Sequence, residues 1–141
     1  SGAAIDKVRR EVEEVDVGRF VLRGDPYVVD HSKVRVWMYN KLRNVYNSLR
    51  YCRVQLRYNK EIDRWWLAKK IVLLLNGLEY AKMNGVSVPP GLKTAFEEYV
   101  NNGVEGLLGY IRSRYLSSLD PDTWRFINSY TRNFTRILPW W

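Results

Sequence analysis

Seven apolar residues, Val34, Met38, Leu42, Val45, Leu49, Cys52 and Leu56, recur at spacings of 4, 4, 3, 4, 3 and 4. An α-helix turns once every 3.6 residues, so this alternation holds all seven in one narrow sector of a single rod. A strand alternates its side chains with period two and could not bury that set on one face. A helix over residues 33–58 with such a seam needs other helices to cover it. The pattern therefore predicts an all-α fold, with Asp30 or Ser32 placed to cap the rod.

The remaining segments support a bundle of about four main helices. Residues 62–83 carry Trp65, Trp66, Leu67, Ile71, Val72, Leu73, Leu74, Leu75, Leu78 and Tyr80. Apolar side chains run nearly all the way round, which predicts the most buried helix. Gly85 is a stop, and Pro89-Pro90 forbids continuation. Residues 92–102 and 104–119 read as two helices broken at Gly103, the second turning Leu107, Leu108, Ile111 and Tyr115 inward. Asp120-Pro121 is a cap followed by proline at the first helical position. The last helix turns Trp124, Ile127, Phe134 and Leu138 inward and ends at Pro139. Ahead of the bundle, Ile5, Val8, Val12 and Val15 form a narrow stripe on a short helix over residues 3–15. Residues 17–29, with the turn chemistry of Gly24-Asp25-Pro26, read as an extended connector. The expected organisation is an N-terminal helical arm and connector, 1–29, followed by a helical bundle domain, 30–141.

Composition narrows the function classes. The chain has 141 residues, is 46% hydrophobic and carries a net charge of +8, which fits one basic globular domain. Its longest apolar run, residues 71–75, is far short of the ~18 that a membrane span needs. Residues 1–4 lack a secretory signal pattern. A single cysteine, Cys52, excludes an internal disulfide framework and a cysteine zinc site, and its place on the seam makes it a small buried hydrophobe. His31 is the only histidine and has no evident titrating partner, so it reads as a helix-start residue. Asp120 and Asp122 read as capping residues. Gly103, Gly106 and Gly109 lack the strand–turn–helix setting and the Lys-Ser/Thr of a phosphate loop. The expectation is a protein with no catalytic residues, no metal and no cofactor, whose excess positive charge meets an anionic partner.

The helix over 33–58 has a second face. Arg35, Tyr39, Arg43, Tyr46, Arg50, Arg53 and Arg57 each lie one residue beyond a member of the seam, about 100° round the rod. Lys33 and Lys41 raise the total to seven cations, and residues 33–58 contain no acid. Stacked like charges destabilise a helix, whereas interspersed acids would support it. The guanidinium fork suits phosphate oxygens and stays charged. A straight ladder without acids suits contact along a nucleic-acid backbone rather than base reading. The alternatives are pairing with acids of neighbouring helices, Glu11, Glu13, Glu14 and Asp16 among them, or simple solvation. Lys7, Arg9 and Arg10 of the arm are a second candidate contact, although acids follow them at once.

Six tryptophans stand in this chain. Trp65-Trp66 and Trp140-Trp141 are adjacent pairs, so both rings of a pair cannot easily enter one core, and Trp37 lies off the seam. Base stacking is one outlet. Subunit contact is the preferred one, with the apolar end Pro139-Trp140-Trp141 docking into a neighbour.

A small, basic, all-helical chain with a leading arm, an Arg/Tyr ladder and surplus aromatic residues resembles the major coat proteins of filamentous and rod-shaped viruses of hyperthermophilic archaea. That resemblance implies a structural, non-enzymatic capsid subunit of a helical virion, assembled in the host cytoplasm around linear double-stranded DNA in A form. It implies that Lys33, Arg35, Tyr39, Arg43, Tyr46, Arg50, Arg53 and Arg57, with Lys7, Arg9 and Arg10, line the DNA channel. Trp37, Trp65, Trp66, Trp140 and Trp141 would then contact copies of the same chain or a paralogous coat subunit. The stretch from Ser32 to Tyr58 is also similar to the basic helix of small helical subunits of CRISPR effector complexes, which stack beside guide and target strands and are likewise enzymatically silent.

Overall fold

The computed structural model describes residues 31–137, with side chains described for 33–133. The described chain is all-α. Its helices are α1 (His31–Arg57), α2 (Arg64–Asn84), α3 (Lys93–Tyr115) and α4 (Pro121–Ile137), with a short 3-10 turn, Pro90–Leu92, ahead of α3. The expected arm and connector, with Lys7, Arg9 and Arg10, lie outside the described residues, as do Trp140 and Trp141. The chain divides into two compact units inside α1, after Met38.

The α1 seam is buried as its spacing requires. Val34, Met38, Leu42, Val45, Leu49 and Cys52 are all buried, while Leu56, near the end of the helix, is only half-buried. Asn59 stops the helix in the left-handed region (φ 57°). The Lys60 amide donates to the Gln55 carbonyl at 2.9 Å and the Asn59 amide to Leu56 at 3.1 Å. Those two bonds satisfy carbonyls that a helix end leaves open.

Asp63 caps α2, its carboxylate accepting from the Trp65 amide at 2.8 Å and the Trp66 amide at 3.2 Å. From there Leu67, Ala68, Ile71, Val72, Leu74, Leu75, Leu78, Tyr80 and Ala81 are buried, so α2 is the interior rod its composition predicts. Gly85 closes it in the left-handed conformation, with the Val86 amide donating to Ala81 at 3.1 Å.

The helical pattern of 93–115 is continuous but for Gly103, whose backbone (φ 70°, ψ −159°) is open to glycine and strained for any other residue. The two helices expected on either side of Gly103 are thus present as the two arms of α3, meeting at a kink there. Its end comes at Tyr115, earlier than the expected 119, and Leu116 and Leu119 are buried in the turn that follows. Asp120 then caps α4, accepting from the Thr123 amide at 2.9 Å. Trp124 and Ile127 are buried along α4, joined by the buried Thr131, while Phe126 is half-buried. Phe134 and Leu138 lie beyond the described side chains. No described helix is long and apolar enough to cross a membrane.

Candidate nucleic-acid interface

Because the seam holds α1 down on one side, the residue after each seam position emerges on the flank. Arg35, Arg43, Arg50, Arg53 and Arg57 are all exposed. Arg43, Arg50 and Arg57 are seven residues apart, which sets them roughly 10.5 Å from one another along the axis. None of the five forms an ion pair with a described carboxylate. Arg50 rests its guanidinium carbon 5.6 Å from the centre of the Tyr46 ring. Lys33 and Lys41 have partners of their own within the chain.

Most of the carboxylates that could have neutralised the ladder are engaged elsewhere. Residues 31–137 hold 18 Lys+Arg against eight Asp+Glu. Six of those eight have partners away from α1. Asp63 and Asp120 cap helices, Asp122 pairs with Arg125, Glu105 with Arg132, Glu79 accepts from the Tyr99 hydroxyl, and Glu98 accepts from Asn102. Bonds to Thr123 hold the Asp120 carboxyl below its ordinary value, and the Arg132 guanidinium does the same for Glu105. Pairing with neighbouring described helices, one alternative open at the sequence level, is therefore not how the ladder is balanced.

The two tyrosines of the ladder behave differently from its arginines. Tyr39 and Tyr46 are half-buried. The Tyr46 ring lies so close over Gly91 that a methyl group on that residue would run into it. Tyr46 is thus a wedge between α1 and the turn that leads into α3, with only part of its ring available to a ligand. The sequence carries no local sign of this, since the partner stands 45 positions away.

The tryptophans assigned to subunit contact are partly used inside the chain. Trp65 packs edge-on against Phe126 at 4.7 Å and Tyr130 at 5.7 Å, both on α4, yet half its surface stays exposed. Trp66 is half-buried, meets Tyr51 of α1 at 6.2 Å and lies 5.8 Å from the Lys70 ammonium. Trp37 is half-buried on α1 and has a partner within the chain.

The chain matches no family model, no curated protein and no solved structure.

Other chemistry is thinly provided. Among the described residues no cluster of three or more His, Cys, Asp or Glu could hold a metal ion. Burial pushes the Cys52 thiol up to about 12, so it stays protonated and inert at neutral pH. What the described surface does offer is a row of permanent cations with hydrogen-bond forks, along one flank of α1. Such a row is complementary to a chain of phosphates.

Proposed function

We propose that this protein is a non-enzymatic structural subunit that coats double-stranded DNA, gripping the phosphate backbone without regard to sequence and assembling with further copies along the duplex. In this reading it serves as a coat subunit of a filamentous virion. The observation that carries the proposal is the ladder of α1: five exposed arginines, no acid on the helix and no ion pair to a described carboxylate. Like charges at three- and four-residue spacing work against the helix that bears them. A polyanion removes that repulsion and gains entropy from the counterions it releases. The ladder occupies one flank of α1 only, which suits lying along a backbone rather than entering a groove with phosphates on both sides.

The test is binding of mixed-sequence duplex DNA across a salt series. Tight binding at low salt that weakens steeply with added salt is expected. Replacing Arg43, Arg50 and Arg57 together by glutamine should flatten the slope of log K against log salt by about 2.7, at ~0.9 per phosphate contact. Absence of binding at low salt overturns the proposal. A strong preference for single-stranded RNA transfers the ladder to the effector-complex reading. Electron microscopy of the protein mixed with linear duplex should show decorated filaments.

A further inference from the structure

We propose that the last turns of α1 also bind single-stranded nucleic acid, with Tyr51 and Tyr58 stacking on unpaired bases while Arg50, Arg53 and Arg57 hold the phosphates. This rests on the ladder as a phosphate contact and goes beyond the duplex reading by adding a face that meets bases.

The face follows from register on one helix. Residues 49–58 contain three triplets of the same kind, Leu49-Arg50-Tyr51, Cys52-Arg53-Val54 and Leu56-Arg57-Tyr58. Successive residues lie ~100° apart round the rod, so the first member of each belongs to the seam, the second to the ladder and the third to the side facing away from the core. The exposures agree. Leu49 and Cys52 are fully buried and Leu56 is half-buried, while Arg50, Arg53 and Arg57 are exposed. Tyr51, Val54 and Tyr58 are 55%, 47% and 69% exposed. An outward helix face is ordinarily charged or polar. Here it runs through Asn40, Asn44, Asn47, Tyr51, Val54 and Tyr58 without a charge.

A single exposed apolar residue needs no explanation, but these stand in register beside a row of cations. Offsetting the helix dipole would account for Arg57 in the last turn and gives no role to the rings. Tyr51 is held in place, its ring edge-on to Trp66 at 6.2 Å and its hydroxyl accepting from the Gln55 amide. The Tyr58 side chain has no partner among the described residues. The two rings are seven residues apart, roughly 10.5 Å along the axis, so each meets a different base. A duplex shows phosphates on its outside and covers the faces of its bases, so it matches the arginines alone. An unpaired strand has a charged edge and an aromatic edge, and a basic track with rings for the bases is complementary to both. A second copy of this chain could cover the rings, but it would bring its own arginines with them, cation beside cation.

Binding of the protein to an oligothymidylate and to an abasic strand of the same length separates rings from phosphates, because the two strands carry the same charge. The parent should hold the thymidylate about fivefold more tightly, or better. Tyr58→Leu should lose about fivefold on the thymidylate and nothing on the abasic strand, with the salt slope unchanged. Its melting should match the parent's, since the Tyr58 ring packs on nothing described. Tyr51→Leu should act in the same direction, and Tyr58→Phe, which keeps the ring, should bind as the parent does. Equal binding of the two strands by the parent overturns the proposal, as does an equal loss on both strands in Tyr58→Leu. A Tyr58→Leu variant that sediments differently while its strand preference stays intact makes the face a contact between copies and likewise overturns it. Mixed-sequence duplex DNA separates this site from the coat reading. Duplex binding with no preference for bases leaves the coat subunit and removes the stacking site. A preference for the thymidylate without duplex binding removes the coat subunit and supports the stacking site, and a parent that binds no strand overturns both.

Discussion

Helices α1 and α2 are both long, both basic and both anchored in the same interior, yet they use their cations in opposite ways. On α2 three of the four cations are taken up by aromatic rings of the fold. Arg64 lies 4.5 Å from the Phe126 ring centre, Lys70 lies 5.8 Å from Trp66, and Lys82 lies 5.8 Å from Tyr99. On α1 only Arg50, among the five arginines of the ladder, has such a ring. The lesson is that charge count alone does not mark a binding face. What marks it is charge that the fold leaves without a partner, on an element the fold has already fixed.

The comparison can be broken first at the interior. Ile71→Ala on α2 removes a fully buried side chain and should cost about 2–5 kcal/mol in urea unfolding. The triple glutamine variant of Arg43, Arg50 and Arg57 should stay within about 0.5 kcal/mol of the parent in the same measurement, with any gain coming from relieved repulsion. A loss of 2 kcal/mol or more in that variant would make the ladder part of the fold and erase the contrast.

A smaller effect sharpens the boundary between the ladder's two residue types. Gly91→Ala places a methyl group against the Tyr46 ring and should destabilise by about 1–3 kcal/mol. The same change in a Tyr46→Ala background should cost much less, because the colliding ring is gone. Equal costs in both backgrounds would show that Tyr46 is not the wedge described above.

The smallest effect is a pH dependence at the cap of α4. The folded Asp120 carboxyl titrates below its ordinary value because it accepts from Thr123. Its contribution is thus fully present above the ordinary carboxylate range and is lost as pH falls through the lowered folded value. Melting temperatures of the parent and of Asp120→Asn, followed from neutral pH downward, should converge at the acid end. A constant difference at every pH would remove the cap's charge from the account.

Much of the fold was legible because its signals are local. The 4-4-3-4-3-4 seam, the break at Gly103 and the cap at Asp120-Pro121 each depend on residues within a few turns of one another, and each appears where the spacing puts it. The arginine flank was legible for the same reason, since fixing the seam fixes what lies 100° from it. The place of Tyr46 on that flank was not, because Gly91 had to be brought to it by the bundle. The tryptophan pair was half legible. Adjacency required Trp65 and Trp66 to part, but their destinations, Phe126 and Tyr130 for one and Tyr51 for the other, lie on different helices.

The amino-acid order by itself determined that this protein is helical, where its rods break at Gly103 and begin at Asp120-Pro121, and that one rod carries a strip of positive charge without acids. Helical periodicity is a property of a short stretch of backbone, so it needs no knowledge of what lies across the core. Only the tertiary structure decided which of those charges are spent inside the molecule and which stand free. Coulomb and hydrogen-bond energies depend on distance through space, and distance through space is set by packing rather than by position along the chain.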